Sequence, residues 1–268
     1  FKNNILEEIN LIHKEVPEVD IEAFVHGAMC ISYSGRCLLS NYMCGRDANK
    51  GDCAHACRWK YNLVEERRPG EYYPVEEDDR GSYIMNSRDL CMLDKLPDLI
   101  DAGISSLKIE GRMKSPFYVA TVVSAYRAAL DEYLEDPDNY TFQEKWYKEL
   151  CKASHREFYH GFYYSKPDSS GQNYSSSDYT REYSFIGVVR GYEPDSGLTI
   201  VEQRNKFCVG EDIEVFGPRT DYTDEIVREM YDENNNPIES APHPQQIIKV
   251  KLSKTYPPDF ILRKKKES

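Results

Sequence analysis

Apolar residues Ile5, Leu6, Ile9 and Ile12 recur at helical spacing over residues 5–15, and Pro17 stops that helix before Ile21–Val25, which reads as a short strand. Two Tyr- and Val-containing runs at 60–64 and 71–76, separated by Arg67-Arg68-Pro69-Gly70, predict a β-hairpin inserted into the larger fold. Ser82–Met85 predicts another strand, and Ser87 is placed to cap a helix that runs to about Ala102 and ends at Gly103. Ile104–Ile109 then predicts a buried strand. From Ser115 to about Tyr133 the apolar period is again helical, with Pro116 in the first turn, where its missing N–H costs little.

Strand, helix, strand, helix predicts parallel strands with crossover helices, and a closed eight-stranded α/β barrel leads the candidates. About three barrel strands are present, too few to close a barrel. The others are expected in a longer parent chain, or else from another chain, and the leading residue Phe1 favours the first. After a helix near 141–153 the pattern changes to short Tyr-, Val- and Ile-rich runs at 183–192, 198–203, 211–216, 246–252 and 259–263, with turn signals such as Glu193-Pro194-Asp195-Ser196-Gly197. The predicted class is α/β plus all-β. Residues 1–135 read as the C-terminal part of a (β/α)8 TIM-like barrel, 136–180 as a helix and linker with a Ser-, Gly- and Tyr-rich loop from 165, and 181–268 as a small antiparallel β-barrel domain.

Composition narrows the function classes. No apolar run nears the roughly 20 residues of a membrane span, and the first residues carry no export pattern, so the expectation is a cytoplasmic protein with no membrane partner. The net charge of −12 argues against non-specific attraction to a polyanion, so any nucleic-acid site must be local. Lys249, Lys251 and the run Arg263 to Lys266 are the candidates for phosphate contact, although a solvated charged tail is the commoner meaning of such a run.

The thiols carry the chemistry. Cys30 and Cys37 follow the first strand, Cys53 and Cys57 sit on the long loop, and Cys91 falls in the first turn of the predicted helix after 82–85. Strand C-termini are where α/β barrels build sites, so these thiols are expected to converge. Without a leader, thiols at this density more often bind metal or do redox chemistry than form disulfides. Four thiolates at Cys30, Cys37, Cys53 and Cys91 suit a tetrahedral zinc or an iron–sulfur cluster, and the absence of compact paired C-x2-C knuckles tilts toward the cluster. Cys57 is the alternative to Cys53 or Cys91. Buried, inert thiols are the competing reading, to which Cys44, Cys151 and Cys208 are assigned.

Glu110 and Arg112 follow the 104–109 strand, where a carboxylate and a guanidinium can bind a polar substrate or orient a proton transfer, or form a rim ion pair. His26 is an acid/base candidate, or a core histidine. Arg36 is placed to bind an anion or donate to cluster sulfur. Arg58 beside Trp59 suits an unstacked RNA base or ordinary packing, packing being favoured. Proteolysis has little support: there is no His-Glu-x-x-His and no Gly-x-Ser-x-Gly, and Asp195-Ser196-Gly197 reads as a turn. A cysteine nucleophile paired with His26 or His55 competes with metal binding for the same thiols.

The run Glu22-x-Phe24-x-x-Gly27-Ala28-Met29-Cys30-x4-Gly35-x-Cys37-x-Leu39-Ser40 resembles the signature of the peptidase U32, or collagenase-like, family. The resemblance continues through Asn49-x-Gly51-x-Cys53, Cys57-Arg58-Trp59, Ser87-Arg88-Asp89-Leu90-Cys91 and Leu107-Lys108-Ile109-Glu110-Gly111-Arg112. It resumes in Arg156-Glu157-Phe158, Gly161-Phe162, Arg181-Glu182-Tyr183 and Val201 to Phe207, and the layout is similar to that of the prephenate-dependent tRNA uridine hydroxylation proteins. The resemblance implies a 4Fe-4S cluster on four cysteines spaced like Cys30, Cys37, Cys53 and Cys91, and hydroxylation of tRNA wobble uridine at C5. The partners it implies are tRNA and, as small-molecule donor, prephenate. The family name implies, as an alternative, a U32 peptidase acting on collagen-like or other peptides, and the missing barrel half leaves a further one, a piece of a longer chain retaining only RNA or protein binding. It also implies that the first strands of the barrel belong to the full-length chain.

Overall fold

A computed structural model describes residues 5–30, 37–59, 62–63, 66–67, 69–70, 73–74, 87–165, 171, 179–219 and 222–266. They divide into two compact units: Phe1–Ser115 with Asp136–Phe142 and His155–Thr180, and Pro116–Glu135 with Gln143–Ser154 and Arg181–Ser268. The long helix that the sequence reading grouped with residues 1–135 thus clusters with the C-terminal strands.

In the first unit, helix α1 (Ile5–Glu15) precedes strand β1 (Glu22–Ala28). The short helix α2 (Leu39–Cys44) follows, and the inserted hairpin is present as β2 (Asn62–Leu63) paired antiparallel with β3 (Tyr73–Pro74). Next come β4 (Asp89–Cys91), helix α3 (Leu96–Asp101), β5 (Ser106–Ile109) and, much later, β6 (Phe158–Tyr159). The four strands form one sheet in the order β5-β1-β4-β6. β1 and β5 are parallel, as the alternation predicts, but β4, which α3 connects to β5, runs antiparallel to β1. The described sheet is therefore mixed and open rather than an all-parallel barrel segment. Among the described residues the connection from β1 to β4 holds the six-residue helix α2 and the β2–β3 hairpin, and no longer helix of the kind that returns a parallel strand.

The segment after Ser87 corrects the sequence reading. Residues 89–93 are all 6% exposed or less. Such a continuous run fits a strand covered on both faces as well as it fits a helix, and periodicity does not separate the two. The helix starts only at Leu96, after a 3-10 turn, with Pro97 in its first turn and no side-chain cap from Ser87. Gly103 follows the helix with φ +95°, as expected of a terminating glycine, and the ring of His13 on α1 covers its backbone. The predicted strand at Ser82–Met85 lies outside the described residues. β5, expected to be buried, is half-buried to exposed because it forms an edge of the sheet.

In the second unit, α4 (Pro116–Glu135) and α5 (Glu144–Lys152) pack on an antiparallel sheet. Its strands are β7 (Tyr183–Glu193), β8 (Leu198–Gln203), β10 (Asp212–Phe216), β11 (Tyr222–Ile226), β12 (Glu229–Tyr231), β14 (Ile247–Lys251) and β15 (Ile261–Lys265). A separate two-stranded ribbon pairs β9 (Phe207–Cys208) with β13 (Ser240–Ala241). The seven strands lie in the order β11-β10-β15-β7-β8-β14-β12. The two edge strands, β11 and β12, are joined through Val227 and Arg228 alone, so their facing ends lie within about 11 Å, three Cα–Cα steps. A sheet whose edges are so tethered must curl, and the expected small barrel is realised as a half-barrel.

Alternation along the strands sorts the side chains. Ile213 and Val215 of β10 and Leu262 of β15 enter the curled interior with Ile186, Val201 and Ile248. On the opposite face Phe216 and Ile261 meet Phe117 of α4. That same face carries Glu214 and, opposite it in register, Arg263, both under α5. The Asp195-Ser196-Gly197 turn links β7 to β8, with Gly197 at φ +68° and its N–H donating to the Glu193 carbonyl at 2.8 Å.

Candidate functional site: the thiol-bearing segments

The candidate site is built where β1 ends. All eight cysteines are thiols rather than disulfides. Cys30 lies two residues past β1 and is exposed. Residues 31–36, including the candidate Arg36, lie outside the described residues. Cys37, half-buried, leads into α2, where Ser40 is buried and its Oγ accepts the Ala54 N–H at 2.9 Å. That bond pins the Cys37 helix to the loop carrying Cys53 and Cys57. The Cys53 sulfur accepts the N–H of His55 at 3.3 Å. Asp52, with weaker help from the Cys44 and Cys53 sulfurs, raises the pKa of Arg46 above its ordinary value, which places this cation beside the loop.

Cys91 is placed differently from the sequence reading. It ends β4, is 4% exposed and pairs with His26 in register. Because β4 is antiparallel to β1, its C-terminal end points away from that of β1. Cys30 lies four residues beyond His26, about 13 Å of extended chain. Among the described residues no three of His, Cys, Asp or Glu stand together as metal ligands. In kind the donors suit a thiolate-bound metal or cluster, and the N–H to the Cys53 sulfur is the bond such a ligand accepts. In arrangement the structure ties the helix that follows Cys37 to the Cys53 loop and places Cys91 at the end of β4, opposite His26.

At Glu110 and Arg112 the carboxylate and the guanidinium each bond to main-chain groups. The Glu110 carboxylate accepts the Arg112 N–H at 2.9 Å, and Arg112 Nη2 donates to the Lys50 carbonyl at 2.9 Å. Arg112 thereby reaches the segment that leads to Cys53, while the Glu110 carboxylate closes its own turn. His26 is 1% exposed, and burial, aided by Lys114 and His155 against the opposing pull of Asp89, lowers its pKa from 6.5 to about 3. Its imidazole is therefore neutral at physiological pH and a weak base, the core-histidine outcome.

Around His26 the structure gathers a buried polar group to which the thiol spacing does not point. Asp89, His155 and Arg156 are each at least nine-tenths buried, and the Asp89 carboxylate accepts the Arg156 N–H at 3.2 Å. The Phe158 ring lies 4.9 Å from His155 and 5.3 Å from His26, and Arg156 and Lys114 both approach the Tyr179 ring, at 4.7 and 4.0 Å. The available signal was His-Arg-Glu-Phe at 155–158, charge packed against an aromatic in a very short strand.

The basic candidates are mostly committed elsewhere. Arg263 is fully buried, held between Glu149 and Glu214. Lys249 Nζ pairs with Glu193 at 3.0 Å, Lys251 Nζ donates to the Gly197 carbonyl, and Lys264 Nζ pairs with Glu211 at 2.7 Å. Lys265 and Lys266 stay exposed. Trp59 is 45% exposed, and the Arg58 side chain lies outside the described residues. Among the described residues no helix is long and apolar enough to cross a membrane.

Against known proteins, the sequence profile of Peptidase family U32 matches residues 2–173, and that of the Peptidase family U32 C-terminal domain matches residues 181–263. The chain is 41% identical over 253 residues to tRNA hydroxylation protein P1 of Bacillus subtilis, covering 94% of this chain and 60% of that one. It is 37% identical to tRNA hydroxylation protein P of Escherichia coli, covering 80% of this chain and 55% of that one. It is 31% identical to a collagenase of Porphyromonas gingivalis, covering 91% of this chain and 66% of that one. The chain thus spans between about half and two thirds of the length of these relatives.

Proposed function

The chain belongs to peptidase family U32, and from that premise we propose that its full-length protein hydroxylates tRNA, at C5 of the wobble uridine. The observation that carries this reading is the 41% identity to a tRNA hydroxylation protein across 94% of the chain, against 31% to a collagenase across 91%. On this reading Cys30, Cys37, Cys53 and Cys91 hold a 4Fe-4S cluster, with Cys57 as the alternative ligand. When bound, the cluster would supply one-electron transfer. The chain's own residues bury His26 and fix the loops that present the thiols. Prephenate is the proposed small-molecule donor and tRNA the proposed macromolecular partner, with no membrane involved and action in the cytoplasm.

The test is nucleoside mass spectrometry of tRNA from a strain lacking the activity. Complementation by the full-length protein should restore 5-hydroxyuridine derivatives, and Cys30→Ser should abolish them. Absence of the modified nucleoside together with gelatin cleavage that survives Cys30→Ser would replace this reading with a peptidase. Anaerobic purification gives a second readout: a brown protein supports the cluster, and a colourless zinc-loaded one removes it.

A further inference from the structure

The geometry points to the turn Glu110-Gly111-Arg112 as a clamp that sets the spacing between the Cys30 and Cys53 segments, with Arg112 as a positioning residue for Cys53. Each arm of the clamp sits on a glycine just ahead of a thiol. Gly27, three residues before Cys30, has φ +123°, and a Cβ there would lie 2.6 Å from the Glu110 carbonyl oxygen and 2.8 Å from its Cβ. Gly51, two residues before Cys53, has φ +84°, and a Cβ there would overlap the guanidinium of Arg112. Both positions combine a left-handed backbone with an approach that leaves no room for a side chain, and only glycine meets both demands.

Hydrogen bonds fasten each arm. The Glu110 N–H donates to the His26 carbonyl at 2.8 Å, and Arg112 Nη2 donates to the Lys50 carbonyl at 2.9 Å. The arms move as one body because the Glu110 carboxylate accepts the Arg112 N–H, and the Lys114 N–H donates to the Gly111 carbonyl at 2.9 Å. The turn is anchored in turn by β5, which pairs with β1 from Glu22↔Ser106 to His26↔Ile109. A substrate anchor presents its donors outward, whereas here one donor goes to main chain and the guanidinium covers Gly51. A flat guanidinium can do both, and the point charge of a lysine ammonium cannot. What the clamp serves, the gathering of thiols, rests on the functional reading above; the clamp itself does not.

The test is alkylation of the full-length protein by iodoacetamide, after chelation of any metal, with each cysteine followed by peptide mass spectrometry. Arg112→Ala should raise the Cys53 rate several-fold while Cys208 keeps its wild-type rate and serves as the internal reference. Gly51→Ala should do the same in the wild-type background, and in Arg112→Ala its added effect should shrink to that of the strained backbone alone, since the group its Cβ would strike is gone. Arg112→Gln, which keeps a planar amide donor, should return most of the protection. An unchanged Cys53 rate in Arg112→Ala overturns the clamp, as does a rise shared equally by Cys208. Alkylation needs neither RNA nor iron, so a protein that fails to hydroxylate tRNA while showing this pattern would lose the functional reading and keep the clamp.

Discussion

Arg263 of the second unit and His26 of the first are kept in their interiors by opposite means. In the second unit the charge stays and is matched: Arg263, fully buried, is held between Glu149 and Glu214, and Lys152 Nζ lies 3.2 and 2.8 Å from the same two carboxylates. Burial alone would raise the Glu214 pKa, but the Lys152 hydrogen bond and the Arg263 and Lys152 charges outweigh it and hold the carboxyl below its ordinary value. At His26 of the first unit the charge is removed: the imidazole is dry and stays neutral beside the buried Asp89 and Arg156. A matched ion is sensitive to loss of its partner, and a neutralised base is sensitive to protons.

The largest expected effect comes from breaking the match. Arg263→Ala strands two buried carboxylates beside a single lysine and should destabilise the second unit by about 3–5 kcal/mol, read from urea unfolding with hydrogen exchange to locate the loss. Acid attacks the other strategy. The folded pKa of His26 is depressed, so its contribution is complete above 6.5 and is lost as pH falls toward about 3. The loss is about 1.4 kcal/mol per pH unit, or about 2 kcal/mol at pH 5. Glu214 is also depressed, but from 4.5, so its contribution persists until the pH falls below that value. Between pH 6.5 and 4.5, hydrogen exchange should therefore accelerate in β1 and β4 before β10 and β15, and His26→Gln should flatten that slope. Equal acceleration in both units would erase the distinction.

Two smaller changes sharpen it. Ser40→Ala leaves the Ala54 N–H without its acceptor and should cost about 1–2 kcal/mol locally, seen as faster exchange in the Cys53 loop with the second unit unaffected. Asp131→Asn removes the i,i+4 pair with Arg127 on α4, an exposed pair, and should shift stability by only about 0.3–0.5 kcal/mol in the same urea assay. An effect as large as that of Arg263→Ala would mean that exposure does not separate these pairs.

Legibility followed the strength of local signals. Helix α1, β1, α4 and the long strands β7, β8 and β14 were readable because period and punctuation agreed. β4 was not, since an apolar run flanked by Ser and Gly fits either element, and that single ambiguity moved Cys91 from a helix turn to a strand facing His26. β11 was missed because Tyr-Thr-Asp-Glu-Ile carries little apolar content at a sheet edge, and β12 because it is only three residues long. The thiols were legible as candidates from spacing and type, but strand direction, which decides whether they meet, is a tertiary property. Arg263 looked like the start of a solvated basic run. Only alternation along β15, with α5 above it, turns the guanidinium inward.

The Val227–Arg228 tether has a consequence for life in a crowded solution. A sheet with two remote rims offers each rim's unsatisfied main-chain groups to any passing strand, whereas here the rims are held near one another by their own chain. A few glycines inserted after Val227 would let the rims part, converting a self-limiting sheet into a seed for fibrils or swapped dimers.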